Sequence, residues 1–255
     1  FVIALAAPLA AEGPDPQQRI GPEASDPAAF VCSIALRLLG EPPDPTDRTG
    51  PNAAELGTPS GGTVVTWGSN GAGQLNVPAP NAEFVAVAGG SLHSLGLRAD
   101  GSIVAWGKNN DRQLDVPAPN TGFVAVSANQ RHSLGLKGDG SVVGWGGNAQ
   151  GQLNVPPPNA GFVAIAAGLN FSLGLKGDGS MVAWGLNDFG QCNVPAPNPG
   201  FVGVSAGTAH GLGLQADGSV VGWGWCALGQ CDVPPPNTGF VAVASGNYHS
   251  LGLKG

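Results

Sequence analysis

Apolar residues alternate with small or polar ones along most of this chain, in short runs separated by turn residues. From Phe123 the sequence reads FVAVSANQRHSLGLKGDGSVVGWGGNAQGQLNVPPPNA. FVAV, HSLGLK and SVVGWG each carry apolar side chains at every second position, the period of a half-buried β-strand. Asp139-Gly140 lies between the second and third runs. Asp-Gly in that setting predicts a tight hairpin, because the turn requires positive φ. QLNVP is predicted as a fourth strand. The proline-rich connection after it ends the strand, since proline has no N–H for a sheet ladder.

The unit then recurs. Trp67, Trp106, Trp145, Trp184 and Trp223 stand 39 residues apart, and Phe84, Phe123, Phe162, Phe201 and Phe240 keep the same step. His93, His132, His210 and His249 follow it too, with Phe171 in the remaining place. Four short strands in a unit of about 40 residues form the pattern of a β-propeller blade. A single such sheet cannot bury both of its faces, so neighbouring copies must pack on each other. The predicted fold is all-β: a β-propeller of four-stranded blades over residues 58–255, with the five Trp copies equally buried. Gly61 to Gly255 is five repeat lengths, starting with a blade's third and fourth strands and stopping after a first and second. If the ring closes on itself it has five blades, and Val64–Trp67 pairs with His249–Leu253 to remove both open edges. Otherwise the array is an open fragment of a larger ring.

Composition adjusts this picture in three places. Only 11% of residues are charged and 42% are hydrophobic, too apolar for a disordered chain despite 43 Gly and 23 Pro. Ten Lys and Arg against 17 Asp and Glu give a net charge of −7, which speaks against a nucleic-acid partner. No apolar run approaches the roughly 18 residues of a membrane-spanning helix. Residues 1–57 are of another kind: acidic, proline-rich and linker-like, with Ala28–Leu39 patterned as one short amphipathic helix. The opening FVIALAAPLAA resembles a secretory signal without its basic start, and the alternative is an unstructured terminus. The first reading implies a secreted or cell-envelope protein.

Candidate chemistry is sparse. A ring of His93, His132, His210 and His249 would suit a metal, but each heads the same strand and Phe171 replaces one of them without disturbing the pattern. They are therefore expected to be structural. Asp100, Asp139, Asp178 and Asp217 all precede Gly in the same turn, where Asp binds its own backbone. With no nucleophile–base pair and no phosphate-cradling loop, neither enzyme activity, metal nor cofactor is expected. Cys226 and Cys231 are close enough to be bridged across a turn, although buried free thiols are the preferred reading.

Differences between copies carry the remaining information. In an antiparallel meander the loops after strands one and three emerge on one rim, and the Asp-Gly turns and PxPN connections on the other. The second rim is nearly uniform. The first gathers unique large residues: Lys108, Arg112, Arg131, Phe189, Trp225 and Tyr248. Arg and aromatic side chains are favoured in binding hot spots. Trp225 stands where the other copies have Ser69, Lys108, Gly147 and Leu186, so it is expected to be an exposed anchor, sharing a pocket with Tyr248.

The string AxGxxHSLGLKxDGSVVAWGxNxxGQ resembles the repeat of the regulator-of-chromosome-condensation family. The 39-residue form with VPxPN is similar to its bacterial short-repeat branch, which includes beta-lactamase inhibitors. The resemblance covers about 58–255. It implies a propeller with more blades than this array supplies, and a non-catalytic module that binds a protein partner, here expected as a monomer. Two alternatives come with it. One is an inhibitor of a secreted or periplasmic enzyme such as a beta-lactamase. The other is a guanine-nucleotide exchange factor, which the acidic chain disfavours.

Overall fold

A computed structural model of the chain describes residues 61–255, so the expectations for residues 1–57 lie outside the described residues. The described part is all-β. Strands β1 (Phe84–Gly89), β2 (His93–Arg98) and β3 (Ile103–Gly107) form an antiparallel meander. The next is β4 (Phe123–Ala128), β5 (His132–Lys137) and β6 (Val142–Gly146). Then come β7 (Phe162–Ala167), β8 (Phe171–Lys176) and β9 (Met181–Gly185). β10 (Phe201–Ala206), β11 (His210–Gln215) and β12 (Val220–Gly224) follow. β13 (Phe240–Ser245) and β14 (Ser250–Lys254) pair last.

Successive sheets pack on one another, as the two-faced apolar pattern requires. Leu95, Leu97 and Ile103 of the first sheet share a cluster with Phe123, Val126 and Trp145 of the second. The same contact recurs down the array. A backbone latch reinforces it: Phe123 N donates to Gly101 O at 3.0 Å, and Phe162 N to Gly140 O at 2.9 Å. Each Asp-Gly turn thus docks on the first strand of the following copy. Gly140 has φ +80, and a Cβ there would lie 2.8 Å from Gly161 N, so only glycine serves. These repeated sheets are propeller blades.

The blades have three strands, not four. QLNVP turns too tightly to pair: Val155 N bonds back to Leu153 O at 3.0 Å. The asparagine that ends each PxPN connection takes over at the sheet edge. Asn159 Oδ1 accepts from Val142 N, and its Nδ2 donates to Val142 O, both at 2.8 Å. Asn120 does the same for Ile103, Asn198 for Met181 and Asn237 for Val220. A carboxamide carries the donor and acceptor of one peptide group, so one side chain serves where a strand was expected.

Burial of the tryptophans is uniform in four copies only. Trp106, Trp145, Trp184 and Trp223 are buried, and each indole N–H donates to the main-chain oxygen of Gln74, Gln113, Gln152 or Gln191. Trp67 is instead 83% exposed. The other four each lie near a Phe ring of their own copy, with ring centres 6.2 to 6.5 Å apart. Closure also differs from expectation. Among the described residues Val64–Trp67 forms no strand and does not pair with β14, and Leu251 and Leu253 are exposed. The described array is an open run of blades.

Three of the four repeat histidines are structural in a defined way. His93 Nε2 meets Ser133 Oγ at 3.0 Å, His132 meets Ser172 at 3.1 Å, and His210 meets Ser250 at 3.2 Å. Each serine hydroxyl donates onward to a main-chain carbonyl, of Gln113, Gln152 or Gln230. The imidazole must therefore donate from Nε2, which leaves Nδ1 deprotonated and buried. Burial lowers the pKa to about 4 for His93, about 3 for His132 and about 4 for His210. His249, expected to match them, is exposed just before β14. Phe171 reveals the pairing rule: the position that would hold its serine is Gly211.

These histidines are expected to lower the stability of the array in acid. Their folded pKa values lie below the ordinary value of 6.5, so their contribution is complete above about pH 6.5 and is lost as pH falls through that value toward 4. By pH 4 each site is expected to have given up about 3 kcal/mol, at roughly 1.4 kcal/mol per pKa unit. Denaturant melts between pH 7 and 4 are expected to show this loss. The double variant His132→Phe with Ser172→Gly, copying Phe171 and Gly211, should stay folded and lose one histidine's share of it.

Candidate functional site: the variable rim

Four backbone hydrogen bonds assemble the variable rim. Lys108 N donates to Leu92 O, Gly147 N to Arg131 O, Leu186 N to Asn170 O and Trp225 N to Ala209 O, at 2.8 to 2.9 Å. In each copy they tie the residue after the third strand to the residue before the second. The two variable loops therefore share one end of each blade, as the meander predicts. The opposite rim is occupied by structural contacts. Lys137 Nζ lies 3.7 Å from the centre of the Phe123 ring and donates to Pro119 O at 3.1 Å, and Lys176 repeats this with Phe162 and Pro158. Asp100, Asp139, Asp178 and Asp217 each accept from the hydroxyl and amide of the serine two residues on. Those serine bonds hold the four carboxyls below their ordinary pKa.

Each third-strand loop is built around an asparagine. Asn109 Oδ1 accepts from Leu114 N at 2.9 Å, and its Nδ2 donates to Asp115 Oδ1 at 2.8 Å. Asn70, Asn148 and Asn187 do the same. In the fifth copy the asparagine is Cys226 and the residue five positions on is Cys231. These two form a disulfide, contrary to the preferred reading of free thiols. The disulfide closes the same span that a side-chain hydrogen bond closes in the other copies. Aligning the copies carried that signal: the asparagine is lost only where both positions are cysteine. Cys192, aligned with Cys231, stays free and half-buried, and burial pushes its pKa up to about 11.

Next to the disulfide the rim changes character. Trp225 stands between Phe189, with ring centres 6.5 Å apart, and Tyr248, 5.8 Å away and edge-on. The three residues come from the β9–β10, β12–β13 and β13–β14 loops. Phe189 is 54% exposed and Tyr248 53%, while Trp225, expected to be exposed, is half-buried between them. Leu228 adds a further exposed apolar side chain. Sequence reasoning missed it, although it stands one repeat after Phe189.

Lys108, Arg112 and Arg131 lie on the same rim in the earlier copies, away from the aromatic triad. Lys108 and Arg131 occupy the repeat positions of Trp225 and Tyr248, three copies earlier. Arg112 and Arg131 are exposed and Lys108 is half-buried. Among the described residues no group of His, Cys, Asp and Glu is placed to hold a metal ion, and no helix is long and apolar enough to cross a membrane.

The Regulator of chromosome condensation (RCC1) repeat matches residues 84–113, 123–152 and 162–191 of this chain. No curated protein matches it. Among solved structures, the ectodomain of the Physcomitrella patens receptor kinase CR4 is similar over 73% of this chain, with 26% identity and a TM-score of 0.63. The ectodomain of the Arabidopsis thaliana receptor kinase ACR4 is similar over 74%, with 28% identity and a TM-score of 0.59. Prp20p of Saccharomyces cerevisiae, described with its binding properties to Gsp1p and histones, is similar over 70%, with 21% identity and a TM-score of 0.60. The likeness spans 53%, 66% and 57% of those three chains respectively, less than two thirds of each.

The disulfide closes a short loop, for which chain entropy gives about 2 kcal/mol. Replacing Cys226 and Cys231 together by Ser is expected to lower stability by about that amount in denaturant titrations. Cys226→Asn with Cys231→Leu should recover much of the loss, because it restores the side-chain bridge of the other four loops.

Proposed function

We propose that this chain of RCC1 repeats is a non-catalytic module that binds a protein partner through its variable rim, with Phe189, Trp225 and Tyr248 as the anchor. One observation carries the reading. Three aromatic side chains from three separate loops converge at the rim, and nothing in the blade pattern calls for them: their repeat counterparts include Gln150, Gly147 and Asn170. Large aromatic groups grouped on a scaffold and partly exposed are the composition of a binding hot spot. The opposite rim spends its lysines, Arg98 and its turn aspartates on its own backbone, serines and rings. The Cys226–Cys231 disulfide supports function in an oxidising setting, such as the cell exterior or envelope.

The test is positional. A photo-reactive residue at Leu228 is expected to cross-link the partner, and one at Ala216 on the opposite rim is not. Trp225→Ala should then weaken binding of that partner by about 2 kcal/mol, a common hot-spot loss. Its thermal midpoint should fall only slightly, since the indole packs on two exposed rings. Equal cross-linking from both rims would overturn the assignment.

A further inference from the structure

The charges of the repeat array divide by use. It has seven basic side chains. Arg98, Lys137, Lys176 and Lys254 each stack on a Phe ring and donate to a proline carbonyl on the uniform rim. The other three are Lys108, Arg112 and Arg131, all on the variable rim, and none makes a side-chain hydrogen bond or ion pair among the described residues. Asp111 and Asp115 stand in the same loop, Asp115 with one oxygen taken by Asn109, so this end carries three basic side chains against two carboxylates. At the aromatic end the exposed charges are of the other sign, Asp188 and Asp232.

Between the two ends the rim is low. The positions equivalent to the Trp225 and Tyr248 pair are Gly147 with Asn170, then Leu186 with Ala209. The rim thus runs from a net-positive site whose three cations make no ion pair among the described residues, across smaller neutral residues, to an apolar site flanked by carboxylates. Resting on the binding role given to this rim above, we propose that its partner presents an extended acidic peptide segment with one aromatic or large aliphatic anchor. The anchor seats at Phe189, Trp225 and Tyr248, and the peptide's carboxylates lie over Lys108, Arg112 and Arg131. Asp188 and Asp232 repel those carboxylates from the aromatic end, which sets the direction of the peptide along the rim.

A phage-displayed library of random 12-residue peptides, panned on the full chain, tests this. Enriched peptides are expected to pair one aromatic or large aliphatic residue with two or more carboxylates. Their synthetic versions should bind about tenfold more weakly to Trp225→Ala. They should also weaken about tenfold on Lys108→Glu with Arg131→Glu, and markedly with added salt. The charge reversal should keep the wild-type thermal transition, and Trp225→Ala should lower it only slightly. Peptides that need Trp225 but are neutral or basic, or ignore the charge reversal, would overturn the acidic-peptide proposal while leaving the rim reading in place. Failure to enrich any sequence, or binding that ignores both variants, would overturn both.

Discussion

A buried main-chain carbonyl, that of the repeated glutamine, is where successive blades are joined. Gln113 O accepts the Trp145 indole at 2.9 Å and the Ser133 hydroxyl at 3.0 Å, using both lone pairs. Ser133 in turn accepts from His93 in the blade before. Apolar packing alone would let one sheet slide over the next. These bonds are directional, and breaking one leaves a polar group orphaned in a dry interface at about 1–3 kcal/mol. Their geometry fixes how each copy sits on its neighbour, which accounts for a 39-residue step kept without insertion or deletion.

That rigid interior determines where variation is tolerated. The Asp-Gly turns are latched to the next copy, and the PxPN asparagines pin the third strands, so one rim is consumed by architecture. The other rim needs only its backbone hydrogen bonds and an i-to-i+5 bridge inside each loop. Any side chain fits on that frame. Lysine, tryptophan, leucine and glycine therefore occupy equivalent positions with the same backbone bond beneath them.

Much of this was legible in the sequence, because alternation and period report packing directly. The three-strand meander, its hairpin turns and the sorting of loops onto two rims all follow from them. QLNVP was misread because a short alternating run does not distinguish a strand from a turn, and the information lay in the asparagine beyond it. Trp67 and His249 were misread for a different reason. Equal residues were taken to have equal neighbours, yet a residue is buried by what packs on it. The disulfide escaped because Cys226 and Cys231 were weighed by spacing rather than by the residues they replace. Leu228 escaped because a lone leucine stands out only once its ring-bearing neighbours are located.

The pairing of Phe171 with Gly211 shows that the copies are not interchangeable parts. The bonds of His93, His132 and His210 each cross from one copy into the next, to a serine 40 residues on. Where phenylalanine stands at the histidine position, glycine stands at the serine position of the following copy. Recombination that removes or duplicates one repeat would separate such partners, setting Phe171 against a serine or a histidine against Gly211. The heritable unit of this array is therefore the seam between two blades, and its history of gain and loss is constrained to events that keep both sides of a seam together.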